Sequence, residues 1–107
     1  MNSTMTVTEL VNFLSEAVID GVVQVECWLP NAFIGAIEMD PYEVHFDERR
    51  DPDYGDVFSI WTNERELTLP VNVLENVFQE QDDRTGVVRF NVPLTNGGCL
   101  KLKVQAE

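Results

Sequence analysis

The densest set of oxygen donors in the chain lies in Asp47-Glu48-Arg49-Arg50-Asp51-Pro52-Asp53-Tyr54-Gly55-Asp56, where five acids share ten positions with two arginines. Asp51, Asp53 and Asp56 suggest the start of a calcium loop, because Ca²⁺ takes carboxylate and carbonyl oxygens at closely spaced positions. The register fails. Counting from Asp51, the fifth position is Gly55 where a ligand is needed, the sixth is Asp56 where a turn requires glycine, and the twelfth is Thr62 instead of a bidentate glutamate. Asp51-Pro52 and Tyr54-Gly55 read as turn residues joining two strands.

Nucleophiles and bases are equally sparse. His45 is the one histidine, which excludes multi-histidine zinc sites and leaves no partner for an imidazole base. Cys27 and Cys99 stand 72 positions apart with no CxxC spacing, so they read as free thiols. No G-x-S-x-G, S-x-x-K, Walker A or G-x-G-x-x-G pattern occurs, and Gly97-Gly98 reads as a hairpin turn. The expectation is a protein that is not an enzyme and has no metal and no cofactor.

The acids make better sense as a surface. Glu38, Asp40, Glu43, Asp47, Glu48, Asp51, Asp53 and Asp56 fall within 19 positions, interleaved with aromatic residues. With Tyr54 and Trp61 they form the expected partner-binding set. Alternate residues of a strand lie ~6.7 Å apart on one face, and B-DNA shows a phosphate every ~3.4 Å of axis per strand. A ladder of carboxylates on one strand would therefore mimic nucleic acid.

Charge over the whole chain points the same way. The 107 residues carry a net charge of −12, with 18 acids against three arginines in residues 1–83 (−15) and Glu107 against four cations in residues 84–107 (+3). Such a surface repels nucleic acid and anionic membrane and steers toward basic proteins. At 44% hydrophobic and 24% charged, the composition is that of a single globular domain spanning 1–107. No apolar run reaches the ~20 residues a bilayer requires, and no secretory leader is recognisable, so cytoplasmic residence is expected.

The elements that must position these residues follow from periodicity. Thr6-Val7-Thr8-Glu9 is a capping box ahead of Val7, Leu10, Val11, Leu14, Ala17 and Val18 at helical spacing, ending at Asp20-Gly21. Met1–Thr4 has no evident partner. Period-two segments follow at Val22–Leu29, Ala32–Met39, Tyr42–Asp47, Val57–Thr62 and Glu66–Leu69, with a bulge or close approach expected at Gly35. Trp28 and Trp61 each fall in the more polar phase of their strands. Asn72–Glu75 caps a short second helix with Val73, Leu74, Val77 and Phe78 as its apolar stripe. Val88–Leu94 and Leu100–Val104 form a C-terminal β-hairpin with Arg89, Lys101 and Lys103 on its outer face. The expected class is α+β: an N-terminal helix, a largely antiparallel β-meander, a short second helix and the hairpin.

The opening MTVTELVNFLSEAVIDGVVQVE resembles that of many short phage or mobile-element proteins of unknown function, in which such a helix leads through Asp into a valine-rich strand. The likeness covers about a fifth of the chain, brings no functional residue with it, and implies a host cytoplasm as the compartment. Size and acidity are similar to those of anti-CRISPR and anti-restriction inhibitors. The expected function is that of a small acidic inhibitor occupying a basic nucleic-acid-binding surface of a partner protein, as a monomer or homodimer. Two alternatives share the composition: an immunity protein neutralising a basic toxin, and a small structural or assembly protein that self-associates through its tryptophan-bearing face or its cationic hairpin.

Overall fold

The computed structural model describes residues 2–17, 19–71 and 75–106. It contains β1 (Asn2–Met5), α1 (Val7–Glu16), β2 (Ile19–Leu29), β3 (Ala32–Met39), β4 (His45–Asp51), β5 (Gly55–Trp61), β6 (Glu66–Pro70), β7 (Val77–Gln81), β8 (Val87–Pro93) and β9 (Cys99–Ala106). The strands form a six-stranded sheet in the order β1-β7-β8-β9-β2-β3 and a three-stranded sheet in the order β4-β5-β6.

Helix α1 begins as the capping box requires. The Glu9 amide donates to Thr6 Oγ1 at 3.1 Å and the Thr6 amide donates to Glu9 Oε1 at 3.2 Å, so two of the amides that a helix leaves unpaired at its start are satisfied. Val7, Leu10 and Leu14 are buried, and Phe13 meets Phe90 of β8 edge-on at 5.5 Å. The helix also contacts β4, so it touches both sheets. It ends earlier than its periodicity suggests: Ala17 is already extended at ψ 143°, and β-branched Ile19 opens β2 opposite Ala106. Gly21 has the expected left-handed conformation, φ +74°, but uses it where the β2–β9 register shifts between Asp20 and Gln24.

The mostly β architecture replaces the α+β expectation. Val77 and Phe78, assigned to a second helix, lie in β7, where Val77 is buried and Phe78 is half exposed. Four apolar residues in this stretch satisfy helical spacing, but the pair Val77-Phe78 equally suits a strand with one face covered. Asn72, Val73 and Leu74, the remainder of that expected helix, lie outside the described residues. The C-terminal strands do pair as a hairpin, with Arg89 opposite Lys103 and Asn91 opposite Lys101. They do not close a meander, however, because β9 also pairs with β2 and sits in the middle of the large sheet. Nor does the N-terminus lack a partner, since β1 pairs with β7.

Buried residues from α1 and both sheets form one core, with Val23, Val25, Val88, Phe90, Leu100, Leu102 and Val104 supplied by the large sheet and Phe58 and Ile60 by the small one. At Gly35 a bulge is present, because Cys27 pairs with Gly35 and Trp28 with Phe33, leaving Ile34 as an extra residue. No atom would lie within 4 Å of an added Cβ there, so the glycine serves no close approach. Close approach instead occurs at Gly98, where an added Cβ would stand 2.1 Å from the Trp28 carbonyl oxygen.

Candidate functional site

Strands β4 and β5 with their turn carry seven of the ten expected partner-binding residues. Asp47, Glu48 and Asp51 lie on β4, Asp53 and Tyr54 in the turn, and Asp56 and Trp61 on β5. The other three are elsewhere: Glu38 is on β3 of the large sheet, while Asp40 and Glu43 belong to the turn that leads from it.

The acids do not form a ladder at one spacing. On one face of β4 the sequence is His45, Asp47, Arg49, Asp51, and on the other Phe46, Glu48, Arg50, so an arginine follows the acid on each face. Several carboxylates also have local partners. Asp51 accepts from the amides of Asp53 at 2.8 Å and Tyr54 at 3.1 Å, Asp40 accepts from the Tyr42 amide at 2.8 Å, and both therefore fix turns. Asp56 pairs with Arg50 across the strands at 3.4 Å, and Glu38 accepts from Gln24 Nε2 at 3.3 Å. Asp53 and Tyr54 remain exposed at the turn, and Glu43 is exposed in its own.

The outward face of the small sheet gathers a more compact constellation. His45, Trp61 and Glu66 are register partners across the three strands, as are Asp47, Ser59 and Thr68. The imidazole and indole rings stack with centroids 5.3 Å apart and 28° between planes. Ser59, 1% exposed, shares a 3.0 Å contact with the Thr68 hydroxyl, which in turn donates to Glu66 Oε1 at 3.3 Å. A carboxylate only accepts, so the single Thr68 proton goes to Glu66 and Ser59 donates to Thr68. This relay orients the Glu66 carboxylate beside Trp61. The adjoining turn is held by Thr62 Oγ1, which accepts from the amides of Glu64 and Arg65. A shallow depression of about 410 Å³ opens here, lined by Asp47, Arg49, Trp61, Glu64, Arg65 and Glu66 among others.

Trp28 is placed differently. It is on the outward face of the large sheet with Lys101 Nζ 4.6 Å above its ring, Phe33 at 5.1 Å and its indole N–H donating to Glu26 Oε1 at 2.9 Å. On the same sheet a second concavity of about 430 Å³ is lined by Gln24, Glu26, Phe78, Glu80, Arg89, Asn91, Lys101 and Lys103 among others. Cations and acids are mixed there, with Glu80 opposite Arg89, Arg89 opposite Lys103, and Lys101 opposite Glu26.

The cysteines lie on adjacent strands with opposite orientation. Cys27 is opposite Leu100 and packs against the core, while Cys99 is opposite Trp28, and both are free thiols. Partial burial pushes the Cys27 thiol up from its ordinary value, which lowers its thiolate content and nucleophilicity. Among the described residues, no three of His, Cys, Asp and Glu come together as a metal-ligand group, and no helix is long and apolar enough to cross a membrane. Comparison with protein-family models, curated proteins and solved structures yields no match to this chain.

Proposed function

We propose that the protein is a small, non-enzymatic acidic inhibitor that docks the outward face of its three-stranded sheet on a basic, nucleic-acid-binding surface of another protein. Residues 40–70, which include this sheet, hold nine acids against Arg49, Arg50 and Arg65, a net charge of −6 in under a third of the chain. Long-range attraction of that sign raises the rate of encounter with a basic partner.

Trp61 is the observation that carries the reading. It is half-buried on the acidic small sheet and stacks on His45, whereas Trp28 is contacted by a cation, an aromatic ring and a carboxylate. A half-buried indole flanked by Asp47 and an oriented Glu66 suits the guanidinium or ammonium group of a partner, which gains from both the ring face and the carboxylates. Arg49 and Arg65 also line the depression and temper its negative charge.

Affinity capture from a cell lysate tests this. The chain is expected to retain basic, nucleic-acid-binding proteins that elute with rising salt, and retention is expected to fall with Trp61→Ala or Asp47→Lys but not with Trp28→Phe. Recovery of only neutral or acidic proteins, or retention that ignores both salt and Trp61, would sink the proposal.

A further inference from the structure

The two middle strands of the large sheet, β8 and β9, concentrate positive charge in a chain of net charge −12. On their outward face Arg89 lies opposite Lys103 and Asn91 opposite Lys101, so three cations and a carboxamide occupy four adjacent register positions. All four side chains are exposed, while Phe90 and Leu102 between them are buried in the core.

Like charges directly opposite each other destabilise a sheet. Glu26 opposite Lys101 and the Trp28 ring 4.6 Å from its Nζ offset the charge of that lysine, and Glu80 lies opposite Arg89. Lys103 is placed otherwise. Its register neighbours are Arg89 and Gln24, and Gln24 turns its own Nε2 to Glu38. The concavity of about 430 Å³ opens over these residues, and its charged lining of three cations with Glu26 and Glu80 carries +1. Phe78, 43% exposed and opposite Asn91, gives it an apolar wall. A hollow of this size suits a small molecule.

We propose that this concavity binds a nucleoside monophosphate, with the phosphate on Arg89 and Lys103 and the base against Phe78. Charge and shape select this occupant. Directly opposed strand residues have Cα atoms about 4.5–5.5 Å apart, so the guanidinium and the ammonium converge on one group. A phosphate monoester brings a charge of about −1.5 to −2 at neutral pH and three terminal oxygens, enough for the arginine fork, the ammonium and the Asn91 amide together. A carboxylate has two oxygens in one plane and leaves a donor unmatched. A nucleic-acid strand is a poorer fit, because the net −15 of residues 1–83 repels a polyanion. Glu80, two residues from Phe78 on the same face of β7, accepts from the sugar hydroxyls. The site uses neither Trp61 nor the acidic turn of the small sheet, so it stands or falls separately from docking on a basic partner.

Titration of the isotope-labelled full chain with adenosine monophosphate, followed through its amide chemical shifts, tests the site. Saturable shifts are expected at Phe78, Arg89, Asn91 and Lys103, with adenosine and inorganic phosphate each binding at least ~tenfold more weakly. Arg89→Gln and Lys103→Gln are each expected to weaken binding by about tenfold or more. Arg84→Gln removes the same charge in the exposed β7–β8 turn and is expected to change affinity by less than about twofold. No saturation by roughly 10 mM ligand, shifts confined to other residues, or equal losses in all three variants would overturn the proposal. Should the glutamine variants lose the native amide spectrum, the unaltered chain decides: preference for adenosine monophosphate over both adenosine and phosphate supports the site, and parity with either refutes it.

Discussion

At the scale of single residues, the carboxylates divide into those that build turns and those left for other uses. Asp82 belongs to the first group. Its carboxyl is held below its ordinary value of 3.8, chiefly by the Arg84 amide, with smaller help from Thr85 and Arg89. The Arg84 amide donates to it at 2.9 Å in the β7–β8 turn, where the Gly86 amide also donates to the Asp82 carbonyl. A carboxylate whose folded pKa is depressed contributes stability that is fully present above its unfolded pKa and is lost as pH falls through the folded one. Asp82→Asn is therefore expected to flatten the acid side of a plot of thermal midpoint against pH below about 4, while removing part of the stability at neutral pH. Equal acid slopes for the two proteins would show that the turn does not depend on this charge. Asp51 makes the same type of turn in the acidic stretch, so the residue that most resembled a calcium ligand is occupied by the backbone of its own hairpin.

At the scale of elements, close packing at the β8–β9 turn gives a sharper test. Gly98 lies so near the Trp28 carbonyl that a methyl group must displace backbone, and Gly98→Ala should cost about 1–3 kcal/mol. Gly35 has free space, and Gly35→Ala should stabilise by at most about 1 kcal/mol through the unfolded chain. Urea denaturation at one protein concentration measures both, and equal effects would contradict the packing. The sequence made the helix start legible because the capping box is local: Thr6 and Glu9 are three residues apart. Alternation likewise marked most strands, and Leu67, Leu69 and Phe46 pack toward the core, whereas the strand expected at Tyr42–Asp47 begins at His45, after a turn over residues 41–43. The fate of Val77 and Phe78 was not legible, since a short apolar run fits either period and long-range pairing with β8 decides between them. Strand order was beyond reach for the same reason: β9 joins β2 through pairs more than 70 residues apart, and no local pattern encodes that.

At the scale of the molecule, the two sheets separate the functions assigned to them. On the outward face of the large sheet Arg89 lies opposite Glu80 and Lys101 opposite Glu26, so two of its three strand cations have an acidic register neighbour. The small sheet keeps an excess of acid. Sequence reasoning found its members Asp47, Glu48, Asp51, Asp53, Asp56 and Trp61, but Glu66 and Thr68 join Trp61 only through the β5–β6 register. Trp61 also offers the most direct measurement of the central claim, because it lies on the proposed docking face and Trp28 lies on the other sheet. In a Trp28→Phe background Trp61 is the only tryptophan, and its fluorescence can be titrated with the basic partner recovered by capture, at low and at high salt. The account predicts a saturable change in Trp61 emission whose dissociation constant rises steeply with salt, as screening weakens attraction between exposed charges. Saturable binding that leaves Trp61 emission unchanged, or an affinity indifferent to salt, would contradict it.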